Sequence, residues 1–211
     1  MSATLVTYEE RLRQNPRWAL REGSMHFERE SAVFRTMQKI SDRLTELGVA
    51  HAVAGGMAMF QHGYRRFTED VDVLVTRDGL KALHDKLVDL GYVPPFEGSK
   101  NLRDAETGVR VEFLVAGDYP GDGKPKPVVF PDPATVGVEV GGVRCISLPA
   151  LVELKLTSGT AAWRLKDIAD VLEMIRALGL SDDFADRLHP SVRDKFRELV
   201  AVGRDAPHEP E

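Results

Sequence analysis

Apolar residues recur at helical spacing from residue 33, as Val33, Phe34, Met37, Ile40, Leu44 and Leu47, and Gly48 follows where a helix needs a C-terminal cap. The seven residues VAHAVAG, 49 to 55, read as a short buried strand broken by Gly55-Gly56. MAMFQHG then predicts a short helix, and Asp70 to Thr76 predicts a second strand. Leu80, Leu83, Leu87 and Leu90 mark another amphipathic helix, ended by Gly91. Residues 100 to 116 predict a hairpin turning near Glu106-Thr107-Gly108, with VRVEFLV as its second strand. VGVEVGGVRCI predicts a further hairpin turning at Gly141-Gly142. Beyond Leu148 the pattern is helical: one helix to about Thr157, one carrying Leu165, Ile168, Leu172 and Ile175, and one or two between Asp182 and Val202. The first 24 residues carry no clean period and are read as an arm packing on the domain.

This alternation predicts an α/β (α+β) protein with a mixed central sheet of about five strands and flanking helices. Its expected organisation is an arm over 1–24, a core over 25–147, a helical region over 148–203 and a disordered tail over 204–211. A chain of 211 residues with 43% hydrophobic and 29% charged residues suits one folded domain. The net charge of −5 argues against a general nucleic-acid-coating protein. A single cysteine, Cys145, excludes an internal disulfide and a cysteine zinc site and makes a reducing cytoplasm the simplest home. No apolar run approaches the ~20 residues of a membrane helix, and the charged N-terminus does not read as a signal peptide.

Candidate chemistry enters with GYRRFTEDVDVLV, residues 63 to 75. Asp70 and Asp72 lie two apart on a strand, so both point to one face while Val71 and Val73 fill the other. Adjacent carboxylates repel unless one is protonated or a cation lies between them. Hard oxygen ligands of this kind suit Mg²⁺, which shares its shell with water and phosphates. Glu112, flanked by Val111 and Phe113, is a third acid in an apolar strand. If the two strands are neighbours, three carboxylates could hold two metal ions roughly 3.5–4 Å apart for phosphoryl transfer. A half-exposed strand with a solvated acidic face gives the same alternation, and Asp-x-Asp alone does not separate the two.

The segments AGGMAMFQHGYRRFTEDVDVLV, GVRVEFLV, and ISLPALVELKL with WRLKDIADVLEMI, spanning about residues 45 to 178, resemble the nucleotidyltransferase superfamily with the DNA polymerase β-type fold. Within it the look is that of the lincosamide-type nucleotidyltransferases and of abortive-infection toxin components. The resemblance implies that Gly55 and Gly56 lie against a nucleoside triphosphate, that Asp70 and Asp72 hold Mg²⁺, two ions being expected, and that Glu112 is the third acid. It also brings Lys155 towards the site and makes Arg66, Thr68 and Lys166 nucleotide-binding candidates. Two departures stand out: many members carry Gly-Ser where Met57 follows Gly55-Gly56 here, and the third acid is often aspartate.

Each secondary signal has a plainer counterpart. Lys155, on an apolar helix stripe, either snorkels to water or reaches a buried anion. Arg164, Lys166, Asp167 and Asp170 read as a solvated face laced with ion pairs, with Lys166 and Asp167 kept as candidates through the resemblance. Arg65 and Arg66 suit phosphate contacts but equally a bare surface. GDGKPKP fails as a phosphate loop because Pro125 follows Lys124, and is read as a basic loop near the site. The histidines show no zinc spacing.

These readings predict an enzyme that moves a nucleoside monophosphate from ATP or another NTP to an acceptor hydroxyl, the acceptor being a small molecule, a tRNA end or a protein. The alternative is a non-catalytic protein on the same fold, such as a toxin–antitoxin component with a cognate antitoxin. No membrane association is expected.

Overall fold

A computed structural model describes residues 6–205. The elements run, in chain order, α1 (Tyr8–Gln14), α2 (Pro16–Phe27), α3 (Ala32–Glu46), β1 (His51–Ala54), α4 (Gly55–Gln61), β2 (Asp70–Val75), α5 (Arg77–Leu87), β3 (Tyr92–Val93), β4 (Leu102–Asp104), β5 (Arg110–Val115), α6 (Pro133–Val136), β6 (Gly137–Val140), β7 (Val143–Ile146), α7 (Leu148–Ser158), α8 (Leu165–Leu178) and α9 (Pro190–Asp205). Short 3₁₀ turns at Ala162–Arg164 and Asp182–Arg187 precede α8 and α9.

The strands form one mixed sheet in the order β3-β4-β5-β2-β1-β7-β6. At its centre β2 runs antiparallel to β1 and parallel to β5, and β1 runs parallel to β7. Val71, Val73, Val111 and Phe113 are fully buried on one face of the central pair. Their period-2 alternation with Asp70, Asp72, Arg110 and Glu112 sends the charged side chains to the opposite face.

The sheet has seven strands rather than about five. β3 runs into Pro94-Pro95 and has only two residues, too few for an alternation to be legible, while β4, three residues long, is the first strand of the predicted hairpin. α3 behaves as its pattern predicts: the Ser31 hydroxyl accepts the Phe34 N–H, and Gly48, at φ 65°, closes the far end in the left-handed region. α5 stops earlier than its leucines suggest. Its last residue is Leu87, Val88 is extended, and Leu90 is exposed.

The N-terminal stretch forms two helices. Thr7 and Glu10 make a reciprocal capping box on α1, while Asn15 caps α2 with Pro16 at its first position. α1, with 7 residues, is too short to show a period, and α2, with 12, is not among the predicted helices. Tyr8 donates its backbone N–H to Gly108 at 3.1 Å and its hydroxyl to Glu22 at 3.1 Å. Glu22 in turn accepts the Ala32 N–H that starts α3. At the other end, Arg204 and Asp205, read as the start of a tail, belong to α9; residues 206–211 lie outside the described residues. Among the described residues no helix is long and apolar enough to cross a membrane.

Candidate active site

The parallel pairing of β2 with β5 sets Asp70 opposite Arg110 and Asp72 opposite Glu112. Four charged side chains therefore form a compact square on one face, three acids and one base. The Arg110 guanidinium reaches Asp70 at 3.2 Å and Glu112 at 2.6 Å. Thr68, buried at the entry to β2, donates its hydroxyl to the other Asp70 oxygen at 2.9 Å. Asp72 stands without an ion pair among the described residues. Its carboxyl is pushed up to about 7, by burial first and then by the negative charges of Asp70 and Glu112, against a weaker pull from Lys155 and Arg110.

The glycine turn is built around these acids. Ala54 is the register partner of Asp72 on β1, so the next residue, Gly55, lies directly over the carboxylate. A Cβ at Gly55 would come within 1.8 Å of Asp72 Oδ2, and its φ of 56° is a left-handed conformation that suits glycine. A Cβ at Gly56 would sit 2.9 Å from Thr68 Cβ and Oγ1. Both glycines are thus demanded by close packing of α4 on β2, a reason independent of any ligand.

Next to this square lies a second cluster, contributed by helices. Lys155 is not snorkelling: it is 8% exposed, with Nζ 2.8 Å from Asp167 and 2.7 Å from Asp170. Arg66 forks onto Asp170 through Nε at 2.9 Å and a terminal nitrogen at 3.1 Å. Arg164 and Ser158 both donate to Asp167 at 2.8 Å. The solvated-face reading of α8 is therefore wrong for Asp167 and Asp170, which are 6% and 4% exposed, while Leu165 is 70% exposed. The helix turns its acids inward because Lys155, on the largely buried α7, supplies their counter-charge. Burial raises the Asp167 carboxyl, but Lys155, Ser158 and Arg164 outweigh it and hold it below the ordinary value.

The predicted site residues separate into two groups. Asp70, Asp72, Glu112, Gly55, Gly56 and Thr68 come together on one face. Arg66 and Lys155 are committed to Asp170, and Lys166 is exposed at the start of α8. The basic loop touches the second cluster, where Gly121 packs on the backbone of Ser158 and Lys126 pairs with Asp122. Two participants were missed. Arg110 was legible as a base two residues before Glu112 on a strand, a spacing that puts both on one face. His26 carried no such signal. It is fully buried, and its Nε2 lies 3.1 Å from the Arg66 carbonyl. A carbonyl only accepts, so Nε2 carries the proton, and Nδ1 accepts from the Ser31 hydroxyl at 3.3 Å.

As donors, the three carboxylates fit a hard divalent cation: Asp72 is crowded by like charge that such a cation would relieve. The fit is latent, however. Among the described residues no three His, Cys, Asp or Glu side chains gather around one point where a metal ion could sit. Asp70 and Glu112 lean towards Arg110 instead.

The arrangement of strands and helices is that of a nucleotidyltransferase fold. The chain superposes on the solution structure of the antibiotic-resistance factor ANT(2'')-Ia with a TM-score of 0.50 and 15% identity, over 82% of this chain and 96% of that one. The crystal structure of ANT(2'')-Ia in complex with adenylyl-2''-tobramycin gives a TM-score of 0.49 and 16% identity, over 81% and 95%. JHP933 from Helicobacter pylori gives 0.39 and 14%, over 77% and 78%. No family model matches the chain, and no curated protein does.

Proposed function

We propose that the protein is a metal-dependent nucleotidyltransferase that moves a nucleoside monophosphate from an NTP to a hydroxyl of a small-molecule acceptor. The observation that carries this reading is the β2–β5 register, which sets Asp72 beside Glu112 with a side-chain-free turn pressed over the carboxylate. The fold shared with ANT(2'')-Ia, an antibiotic-resistance factor, supports the reading and favours a small acceptor over a tRNA or protein.

In the reaction an acceptor oxygen attacks the α-phosphorus, the bond to pyrophosphate breaks, and the acceptor proton must leave. Asp70 and Asp72 would hold the divalent cation, with Glu112 completing a second position. When bound, such ions neutralise phosphate charge and polarise the reacting oxygens. Alternatively Glu112, partly exposed beside Asp72, would take the acceptor proton. Thr68 orients Asp70 through its hydrogen bond. Gly55 and Gly56, lacking side chains, let the backbone of the turn approach the triphosphate. Lys166, at the solvent side of α8, is available to phosphate. Arg66 and Lys155 act through Asp170 as positioning groups, because their charges are already spent within the protein.

The test is transfer of α-labelled ATP, GTP, CTP and UTP, with Mg²⁺, onto an aminoglycoside and lincosamide panel, onto tRNA and onto cell extract. Label is expected on a small molecule with one preferred nucleotide, and the Asp70→Ala/Asp72→Ala protein should transfer none. Absence of label from every pool overturns the assignment. The non-catalytic reading has one observation in its favour, the guanidinium of Arg110 among the acids, and it would stand if a partner co-purifies while no label moves.

A further inference from the structure

Arg110 holds the place that the proposed function needs for a cation. One terminal nitrogen of its guanidinium reaches both Asp70 and Glu112. A cross-strand pair would be ordinary if it were simply Asp70 opposite Arg110 in the register. Two features set it apart. The Arg110 side chain keeps 39% of its surface exposed, so it can leave the cluster without opening the core. Its Nε is nevertheless buried and has no acceptor, so the resting arrangement does not satisfy the group.

We propose that Arg110 is a built-in counter-ion that competes with the divalent cation and yields its place as the nucleotide arrives. The inference rests on the metal-dependent reading above and deepens it. A guanidinium and a divalent cation cannot share Asp70 and Glu112, because like charges a few ångströms apart repel. While Arg110 stays, Asp70 and Glu112 are engaged by the guanidinium and the free protein holds metal poorly. An incoming triphosphate offers the planar guanidinium a bidentate alternative. Arg110 then pairs with phosphate, Asp70 and Glu112 are released, and metal and nucleotide enter together. The protein is thereby kept from charging its acid row with metal when no donor is present.

Direct Mn²⁺ binding, followed by electron paramagnetic resonance of the free ion without nucleotide, tests this apart from turnover. Wild type, Arg110→Gln, Arg110→Lys and Asp72→Asn proteins are compared, each checked for folding by circular dichroism. Arg110→Gln is expected to bind Mn²⁺ at least about tenfold more tightly than wild type, Arg110→Lys to stay within about threefold of wild type, and Asp72→Asn to bind none. If Arg110→Gln binds no tighter while Asp72→Asn still abolishes binding, the counter-ion role falls and the metal site survives. If wild type and Arg110→Gln both fail to bind, or if Asp72→Asn binds as well as wild type, the metal-dependent reading falls and the counter-ion role with it.

Discussion

Two acid clusters lie side by side in this protein and are solved in opposite ways. In the helix cluster, Asp167 and Asp170 meet Lys155, Arg66 and Arg164, with Ser158 filling a remaining position. In the strand cluster, Asp70 and Glu112 share Arg110, and Asp72 has no ion pair among the described residues. Burial acts on both. It is overcome at Asp167, whose carboxyl is held low, and reinforced at Asp72, whose carboxyl is pushed up. A buried charge is tolerated when partners meet it and costs stability when they do not. The first cluster is thus charge-balanced, and the second carries an excess of negative charge centred on Asp72.

The largest expected effect comes from breaking the satisfied cluster. Lys155→Met keeps the volume of the side chain and removes the charge between two buried carboxylates. The loss should be about 3 kcal/mol, the low end for a broken buried pair, because Arg66 and Arg164 still hold one carboxylate each. Urea unfolding at pH 7 gives the measurement, read as a fall in midpoint at constant slope. A stability within about 0.5 kcal/mol of wild type would mean that the helix cluster is as dispensable as a surface network, and the contrast would disappear.

The same operation on the strand cluster should go the other way. Asp72 has a folded-state pKa raised above its unfolded value, so the folded protein binds more protons than the unfolded chain between pH about 4 and about 7. Wild-type stability therefore declines as pH rises through that window. Asn does not titrate, so Asp72→Asn should nearly match wild type near pH 4 and exceed it above pH 7. The substitution should also abolish nucleotide transfer. Unfolding midpoints at pH 4, 6 and 8 check the sign, and a variant less stable than wild type at pH 8 contradicts the excess of charge.

How these clusters relate to the sequence explains what was readable in it. The strand cluster was legible because its signal is local. Alternation puts Asp70 with Asp72, and Glu112 with Arg110, on one face, and the apolar neighbours say which face is buried. Only the parallel register joining the two strands had to come from the fold. The helix cluster was not legible in the same way. Asp167 and Asp170 lie on α8 at a spacing shared by any solvated face, and their partners are 12 and 15 residues away at Lys155 and 104 away at Arg66. No local pattern reports such pairings. Gly55 and Gly56 were legible as a turn, but their reason was not: a close approach to Asp72 and Thr68 is a tertiary fact. His26 hides for the same cause, its partner Arg66 being 40 residues on. The two-residue β3 and the seven-residue α1 escaped because a period needs more residues than they have.

The smallest expected effect comes at an exposed position beside the helix cluster. Lys166 stands next to Asp167 but faces solvent, so it adds nothing to the balance that Lys155 provides. Lys166→Ala should leave the unfolding midpoint unchanged within about 0.5 kcal/mol, as for a surface position. If Lys166 serves the nucleotide, the Kd for ATP with Mg²⁺ should rise by about threefold at low ionic strength. The difference should close near 0.5 M salt, where exposed charges more than a few ångströms apart no longer feel each other. Equal Kd values at both ionic strengths would remove Lys166 from the nucleotide site. Arg110 would then be left to meet the phosphates from the strand side, and the division between a neutralised scaffold and a site with excess negative charge would become sharper.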